Sequence, residues 1–566
     1  MTWQPRYGPS WLPDGHVLFR IWSPSTQHAE VLLGDGDRLP LRRNRRGEHA
    51  AVSPGRLRPG TRYRLELDGD GPFPDPWSRW QPQGVHGPSA LLGRRRPPLP
   101  HRQVPRGRSQ TTYEMHVGTF TPEGTYRAAA RRLRHLEQLG VDTVQLMPLG
   151  EFPGRWNWGY DGTYLSAPTR AYGTPDDLLA LVAAAHRRGL AIIVDAVYNH
   201  FGPDGAYVHR FAPEFFDAAV KTPWGSAIDY SRPEVRRSVA DAARWWVERY
   251  GFDGLRLDAT HAILDRSQTH ILAAIAAAAR RSYRSAYVVA EDERKMPELI
   301  TEFRLDAKLS DDFHHSVRVS LTAERDAYFA RFRGGEAEVA QVIAQGWLGS
   351  DPGLSPERFA FCIENHDQVG NRAHGLHLSG LVAPAAFRAA VALLLFAPER
   401  ALLFQGQEWA TAGRFLYFTD HEAQLGRKVT EGRRKEFGRF QEFREHPERI
   451  ADPQDGKTFE RSKLDWAELS RGRWALRLHR ELLRLRREDA VLSRPDRNRL
   501  VTFVEDGLLH VERRTGQGRR RLLVTLKGSD VKGAPQGRVL LHTEERRFGG
   551  SGRISLAGPI AILLSP

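Results

Sequence analysis

The sequence is poor in cysteine and has no long apolar run. Cys362 is the only cysteine among 566 residues, so neither an intrachain disulfide nor a cysteine-based zinc cluster can form. No stretch approaches the roughly 18 apolar residues that a membrane-spanning helix requires. No apolar run follows the positive charge near the N-terminus either. We therefore expect a cytoplasmic protein in a reducing compartment that does not associate with a membrane.

Sequence motifs of several common enzyme classes are also missing. We find no Walker loop, no GxGxxG after a strand, no GxSxG elbow and no HExxH pair. These absences argue against phosphate-containing cofactors, serine hydrolysis and zinc peptidase chemistry. We expect no cofactor and no metal ion.

The formal net charge of +15 comes mostly from arginines. Nucleic-acid binding would require cationic side chains that cluster on one face. The arginines are instead scattered through every segment, and short runs such as 42–46 and 519–521 are typical of solvated loops and edges. We interpret the charge as a source of solubility and predict no nucleic-acid partner.

The chain is too long for one hydrophobic core, and its patterns predict three domains and a linker. Short alternating stretches between Gly, Pro and Asp turns predict an N-terminal β-sandwich over residues 1–92. A segment rich in Pro and Arg at 93–110 predicts a linker. Apolar strands alternate with amphipathic helices over 111–490, and short strands return over 491–566, which predicts a C-terminal all-β domain.

Eight apolar strands in the central region predict an α/β fold of the (β/α)8 TIM-barrel type. The predicted strands span 112–117, 143–148, 191–197, 254–258, 286–290, 307–310, 359–363 and 401–405. Helical patterns cover 126–139, 176–188, 233–250, 269–281, 385–395 and 474–487. Thr174 and Pro175 are typical of a helix start, and Gly140 is typical of a helix end.

Polar side chains gather directly after the apolar strands, where a barrel of this type carries its reactive groups. They comprise Asp195 and His200 at strand three, Arg256 and Asp258 at strand four, Glu291 at strand five, and Glu364, His366 and Asp367 at strand seven. Carboxylates at four strand ends would each incur a desolvation cost without a partner. A functional set therefore explains them better than a purely structural one.

The carboxyl groups at strands four and five suit glycoside hydrolysis with retention of configuration. That reaction needs two carboxyl groups about 5 to 5.5 Å apart, one to attack and one to donate and then accept a proton. Asp258 and Glu291 end adjacent strands and can stand at this distance. We expect Arg256 to keep Asp258 ionised, and the apolar strand before Glu291 to favour its protonated form. The groups left to bind sugar hydroxyls are Asp367, His200 and His366.

A loop after the second strand, 152–161, is rich in aromatic residues and lies at the same end of the barrel. Tyr160 can stack on a glucosyl ring. Trp156 and Trp158 fit sugar contact and loop packing equally well. Asp195 likewise fits either a substrate contact or a buried hydrogen-bonding role, whereas Asn199 looks more structural than catalytic.

These motifs resemble the four motif regions of the α-amylase family of glycoside hydrolases. The matching segments are 195–200, 254–258, Glu291 and 365–367, and the resemblance covers the whole barrel. It implies that Asp258 is the nucleophile, Glu291 the general acid/base and Asp367 the stabiliser of the transition state. It also implies a set of residues that line the subsite of the attacked glucose, namely Arg256, His200, His366 and Tyr160.

Four further passages narrow the resemblance to family members that release trehalose from maltooligosyl trehalose by cutting the neighbouring α-1,4 bond. These passages are 222–230, 257–263, 365–372 and 415–421. The likeness implies α-glucan substrates and a partner synthase that supplies maltooligosyl trehalose. It implies no calcium ion, because the large ligand-bearing insertion after strand three is absent.

The resemblance leaves alternatives open. A 1,4-α-glucan branching enzyme and a debranching hydrolase use the same carboxylates, and a catalytically inactive glucan-binding protein would share the fold. Gln407 stands where many relatives carry a carboxylate. Glu364 and Asp420 are the candidates for contacts to the departing sugar.

Overall fold

The computed structural model describes residues 3–34, 36–94, 100–222, 224–438, 450–531 and 535–565. Parts of each predicted region lie outside the described residues: 1, 2 and 35 of the sandwich, 95–99 of the linker, 223 and 439–449 of the barrel, and 532–534 and 566 of the C-terminal domain.

A closed barrel of eight parallel strands forms the centre of the molecule. Its strands are Thr111–Met115, Thr143–Leu146, Ala191–Ala196, Gly254–Leu257, Tyr287–Ala290, Ala307–Leu309, Phe359–Cys362 and Arg400–Phe404. Every predicted strand is present, because strands buried on both faces are written as nearly continuous apolar runs. The predicted TIM barrel is confirmed.

Helices surround the barrel, and six of them match the predicted ones. These are Tyr126–Leu139, Pro175–Arg187, Pro233–Tyr250, Ile271–Ser282, Pro384–Phe396 and Arg473–Glu488. Thr174 and Asp177 form a capping box in which each side chain accepts a hydrogen bond from the other residue's backbone amide. Gly140 ends the helix Tyr126–Leu139. Its φ of 95° is a left-handed conformation that favours glycine.

Among the described residues, three helices of ten or more residues escaped prediction, two of them between the sixth and seventh strands. They are Asp311–Thr322, Glu336–Gln345 and, after the eighth strand, Ala423–Phe437. The first buries histidine, serine and arginine side chains beside apolar ones, so its apolar periodicity is weak. Only the short helix Glu298–Thr301 follows the fifth strand. No helix among the described residues is long and apolar enough to cross a membrane.

The N-terminal domain is an antiparallel sheet folded around one core. Its strands are Ser10–Trp11, Val17–Trp22, Ala29–Leu33, Arg38–Arg43, Glu48–Val52, Arg62–Leu67, Asp70–Phe73 and Ser89–Ala90. Arg38–Arg43 pairs with Ala29–Leu33 on one side and with Glu48–Val52 on the other. It thus joins two halves whose facing side chains, such as Phe19 and Leu65, share a core, as expected of a sandwich.

The C-terminal domain contains one five-stranded antiparallel sheet. In spatial order its strands are Leu500–Glu505, Leu508–Thr515, Gly518–Thr525, Ile560–Ser565 and Arg538–His542. The last of these is a short strand at one edge of the sheet. One face, which includes Val511 and Val524, is continuous with the core of the barrel. The sheet is therefore packed against the barrel helices by apolar contact.

A buried arginine, Arg513, also joins this sheet to the barrel. Its guanidinium donates hydrogen bonds to the carbonyl oxygens of Phe396 at 2.8 Å, Leu492 at 3.0 Å and Arg494 at 2.9 Å, and to the Ser109 hydroxyl at 3.2 Å. Burial lowers the pKa of Arg513 to about 9, because a low-dielectric environment disfavours charge. The carbonyl dipoles compensate for part of this cost.

We predict that Arg513→Met lowers the free energy of unfolding by about 3 kcal/mol, because it leaves several buried acceptors without a donor. Chemical denaturation followed by circular dichroism measures the change. Arg519→Met is the matched control, since Arg519 is exposed on the neighbouring strand, and should cost less than about 0.5 kcal/mol. Equal losses in both variants would contradict the role of Arg513 as a joint.

Candidate active site

The carboxyl ends of four barrel strands bring the predicted site residues together. Asp195, near the end of the third strand, lies opposite Arg256 of the fourth strand in the parallel register. Asp258 directly follows the fourth strand and Glu291 the fifth. Asp367 lies in the short helix after the seventh strand. All of these ends open at the same edge, because the strands of the barrel are parallel.

The guanidinium of Arg256 is the centre of this cluster, and its side chain is fully buried. One nitrogen, Nη1, lies 2.5 Å from Oδ2 of Asp195 and 2.9 Å from Oδ1 of Asp258. The other, Nη2, lies 2.8 Å from Oε2 of Glu291. A single cation therefore contacts three carboxyl groups that come from three adjacent strands.

Backbone and amide donors complete the contacts of the two central carboxyl groups. The Asn199 side-chain amide donates to Oδ2 of Asp258 at 3.1 Å, and the Ala259 backbone amide donates to Oε2 of Glu291 at 3.0 Å. Ala259 has a φ of 37°, which a residue with a Cβ rarely adopts. This local conformation turns the amide toward Glu291. Asn199, interpreted from the sequence as structural, thus touches a site carboxylate directly.

The pKa values of Asp258 and Glu291 move in opposite directions. Burial, with Glu291 and Asp195 nearby, raises the pKa of Asp258 well above its usual range despite the attraction of Arg256. Burial also opposes ionisation of Glu291, but Arg256 and the Ala259 amide outweigh it and lower that pKa to about 2. We expected Arg256 to keep Asp258 ionised and Glu291 to stay protonated. These directions run against that expectation, because Arg256 also contacts Glu291 and its charge favours both carboxylates.

A second chain of hydrogen bonds runs from the first strand to Asp195. Glu114 contacts the His366 ring, with Oε1 2.9 Å from Nδ1. The other ring nitrogen, Nε2, lies 2.7 Å from the Tyr160 hydroxyl, which donates to Oδ2 of Asp195 at 2.7 Å. Burial alone would lower the pKa of His366, but Glu114 and Asp367 outweigh it and raise that pKa to about 9. Glu114 was not predicted from the sequence, although a carboxylate within an apolar strand was a usable signal.

Asp367 is held from a helix that the sequence did not predict. The Asn371 side-chain amide donates to Oδ1 of Asp367 at 2.9 Å, and Arg433 of the helix Ala423–Phe437 donates to Oδ1 of Asn371 at 2.9 Å. Burial raises the pKa of Asp367 to about 6. Repulsion by Glu291 adds to this effect, and attraction by His366 opposes it. Its side chain stays one-third exposed, so it can face a ligand.

His200 borders the cluster beside an exposed tryptophan. Its ring nitrogens contact the Asn199 side-chain oxygen at 2.9 Å and the Tyr160 carbonyl at 3.0 Å. The Trp224 indole stacks on the His200 ring, with centroids 4.8 Å apart. Trp224 is 46% exposed, which is unusual for so large an apolar side chain. Trp224 was not predicted as a site residue, although it lies in the passage 222–230 that carries part of the family resemblance.

Trp158 and Glu364, two further predicted site residues, are occupied by loop contacts. The Trp158 indole donates to the Leu416 carbonyl at 2.9 Å and is only 3% exposed. Glu364 contacts Nδ1 of His377 at 2.9 Å and accepts from the Leu378 amide at 2.6 Å. These contacts hold the loops around the site. Direct sugar contact by either residue stays a prediction.

The cluster contains more carboxyl groups than cations. Its acids are Glu114, Asp195, Asp258, Glu291 and Asp367, and its cations are Arg256 and the His366 imidazolium. The site is therefore net negative even with a proton on Asp258. This charge suits a reaction whose transition state resembles an oxocarbenium ion. Within the described part of the chain, no group of three or more His, Cys, Asp or Glu residues is arranged to hold a metal ion.

Known proteins resemble this chain along nearly its whole length. A family model described as alpha amylase, catalytic domain, matches residues 101–213. A malto-oligosyltrehalose trehalohydrolase from Deinococcus radiodurans is 43% identical over 96% of this chain and 94% of that protein. One from Arthrobacter ramosus is 37% identical over 96% and 99%. The crystal structure of a candidate alpha amylase from Salmonella typhimurium is 33% identical, with a TM-score of 0.88 over 99% of this chain and 100% of that chain.

The closed barrel and the carboxyl groups around Arg256 define a glycoside hydrolase of the α-amylase class, which acts on α-glucans. The resemblance inferred from the four motif regions is thereby confirmed. Within this class the chain belongs to the malto-oligosyltrehalose trehalohydrolase family, as the extent and identity of the two relatives establish.

Gly370 ends the short helix that carries Asp367. A Cβ atom at position 370 would lie 2.1 Å from Cζ2 of Trp158, and the Leu416 carbonyl holds that indole in place. We predict that Gly370→Ala lowers the free energy of unfolding by about 1 to 3 kcal/mol and lowers kcat by displacing Asp367. Gly380→Ala, with its nearest atom at 3.9 Å, serves as the control in denaturation and hydrolysis assays. Similar behaviour of the two variants would refute this account.

Proposed function

We propose that the protein hydrolyses the α-1,4-glucosidic bond next to the terminal trehalose unit of maltooligosyl trehalose, with retention. The products are trehalose and a maltooligosaccharide. The observation that supports this most is the match along nearly the whole chain to relatives named malto-oligosyltrehalose trehalohydrolase, at up to 43% identity. Branching and debranching enzymes share the carboxylate chemistry, so the names of these full-length relatives favour the trehalose-releasing reaction over both.

Three carboxyl groups divide the chemistry between them. In the first step the Asp258 carboxylate attacks the anomeric carbon, while Glu291 donates its proton to the glycosidic oxygen that leaves with trehalose. In the second step Glu291 removes a proton from water, which attacks the same carbon and releases the maltooligosaccharide. Asp367 faces the site with a side chain held by Asn371 and would stabilise the positive charge that develops on the sugar ring.

The proton must change partner before this reaction can begin. Burial and the neighbouring carboxylates favour a proton on Asp258 rather than Glu291, whereas attack requires ionised Asp258. We propose that the proton passes from Asp258 to Glu291 when the substrate binds. The glycosidic oxygen of the substrate then accepts a hydrogen bond from the protonated Glu291 carboxyl group. Both carboxyl groups contact the guanidinium of Arg256, Asp258 at 2.9 Å and Glu291 at 2.8 Å. Arg256 and Asn199, at 2.9 and 3.1 Å, would then stabilise the Asp258 carboxylate.

The surrounding polar groups would bind the sugar whose bond is attacked. Arg256, His200, His366, Tyr160 and Asp195 converge near the central carboxyl groups, and Tyr160 offers a ring face as well as its hydroxyl. Short polar contacts of this kind fix the orientation of a ligand. Trp158 and Glu364 would contribute by supporting the adjoining loops.

The flanking regions and the cellular setting complete the proposal. Residues 111–490 would carry catalysis, with the domains at 1–92 and 491–566 and the linker at 93–110 as structural support. A synthase that builds maltooligosyl trehalose would act before this protein. The single cysteine fits a shared reducing cytoplasm.

Product analysis tests the proposed reaction. We predict that the purified protein releases free trehalose from maltooligosyl trehalose, and attacks plain maltooligosaccharide and amylose slowly. Chromatography identifies the products, and NMR shows whether the new reducing end is α, as retention requires. New α-1,6 branches in amylose would establish the branching reaction instead, and release of side chains from branched glucan would establish debranching.

Substitution of the two central carboxyl groups tests their roles. We predict that Glu291→Gln lowers kcat by about 10² to 10⁴-fold, the usual contribution of general acid/base catalysis, and that Asp258→Asn abolishes the covalent intermediate. Asp253→Asn is the matched control. Asp253 is a buried acid that directly precedes the fourth strand, at the end opposite Asp258. There it accepts hydrogen bonds from the Ile192 and Arg102 backbone amides. It should keep kcat near the wild-type value, and comparable losses in all three variants would contradict the assignment.

A further inference from the structure

Glu114 is a buried carboxylate that belongs to none of the sequence motifs of the site. It lies in the first barrel strand and is 1% exposed. Its Oε1 accepts from the Gln145 side-chain amide at 3.0 Å and contacts Nδ1 of His366 at 2.9 Å. Its Oε2 accepts from the His366 backbone amide at 2.9 Å. Glu114 therefore holds both the main chain and the ring of His366.

The hydrogen bonds around Tyr160 determine the protonation of His366. The Tyr160 hydroxyl has one proton, which it donates to Oδ2 of Asp195 at 2.7 Å. Its oxygen must then accept from Nε2 of His366, also at 2.7 Å. The opposite ring nitrogen faces the Glu114 carboxylate, which can only accept. Both ring nitrogens thus carry a proton, and His366 is an imidazolium cation.

The charges around His366 favour this cation. The acids that face it from the surrounding strand ends are Glu114, Asp195, Glu291 and its own neighbour Asp367. Arg256 opposes it from the fourth strand. His116 lies two residues after Glu114. Burial lowers its pKa to about 4, so His116 is neutral and adds no positive charge near His366. The carboxylates raise the pKa of His366 to about 9 against the effect of burial.

We propose that Glu114 is a positioning residue that keeps His366 cationic and thereby directs the Tyr160 hydroxyl toward Asp195. Were His366 neutral with Nδ1 protonated, Nε2 would accept the Tyr160 proton, and Asp195 would lose that donor. The hydrogen bond between Tyr160 and His366 would reverse its direction, and the one from Tyr160 to Asp195 would be lost, because a carboxylate can only accept. The kinetic part of the test rests on the proposed function, whereas the titration of His366 does not.

Glu114→Gln removes the charge and keeps the shape. In a ¹⁵N-histidine NMR titration, the midpoint at which His366 loses its positive charge should fall by at least about one pH unit, because an opposite charge at hydrogen-bonding distance shifts a pKa by about 1 to 3 units. Loss of the Glu114 negative charge lowers the pKa of His366, so the imidazolium loses its proton at a lower pH. Glu114→Asp retains the charge and should recover part of the shift. A fall in kcat at every pH with an unmoved midpoint would overturn the proposal.

Glu408→Gln is the matched control, because Glu408 is also a buried acid paired with a histidine. It lies 2.7 Å from Nε2 of His135 and accepts from the Tyr113 hydroxyl at 3.0 Å. Tyr113 precedes Glu114 in the strand, so its side chain points away from the site. This variant should lower stability and leave the midpoint of the His366 titration at its wild-type value. An equal midpoint shift would show that the effect is general and would reject a specific role for Glu114.

Direct titration of the wild-type protein removes any dependence on variants that fold poorly. The full chain is labelled with ¹⁵N-histidine, and the His366 signals are identified by their loss in His366→Gln. We expect both ring nitrogens of His366 to stay protonated at pH 8. Titration near 6.5, the ordinary value for histidine, would overturn the proposal. A cationic His366 in a protein that releases no trehalose would reject the proposed function and leave this inference standing.

Discussion

The contact of one buried guanidinium with three carboxyl groups is the interaction on which the site depends. Arg256 is fully buried, and a charge in such a position is stable only when it is paired with good geometry. The planar fork of an arginine can meet carboxyl groups from two directions at once, which an ammonium group on a lysine cannot do in the same way. The third, fourth and fifth strands must therefore keep their register for the charges to remain compensated.

This arrangement does not decide by itself which carboxyl group is ionised. Arg256 contacts Asp258 and Glu291 at nearly the same distance, so its charge favours both carboxylates. The remaining difference comes from the Ala259 amide, the Asn199 amide and the surrounding acids. Protonation is thus a property of the pair rather than of either residue. In the proposed reaction, the bound glycosidic oxygen decides that Glu291 holds the proton. The position of the proton therefore depends on substrate binding.

Arginines also hold the scaffold around the site. Arg486 donates to the carbonyl oxygens of Leu395 and Ala397 at 2.9 and 2.5 Å, and Arg513 donates to that of Phe396. These carbonyls lie at the end of the helix Pro384–Phe396, where the helix dipole attracts cations. The large positive charge of the sequence was interpreted as a source of solubility. Part of it instead caps helix ends and joins the C-terminal sheet to the barrel.

The barrel and the main site residues could be predicted from the sequence because their signals are local. Each strand is a short apolar run with polar residues at its end, and Arg256 and Asp258 are two residues apart on one face. Helices that bury polar side chains, such as Asp311–Thr322, escaped prediction because their apolar periodicity is weak. Prediction from local patterns therefore succeeded for the barrel strands and failed for these helices for the same reason.

Only the tertiary structure decided how charges from different strands meet. The contact of Arg256 with Glu291 and the pairing of Glu114 with His366 join residues far apart in the chain. Their geometry depends on strand register and closure of the barrel, which no local pattern encodes. The sequence alone therefore determined which groups stand at the reactive edge and which chemistry they suit. Their protonation and partners were decided by the fold, because electrostatic interactions depend on distances and burial that exist only after the strands assemble.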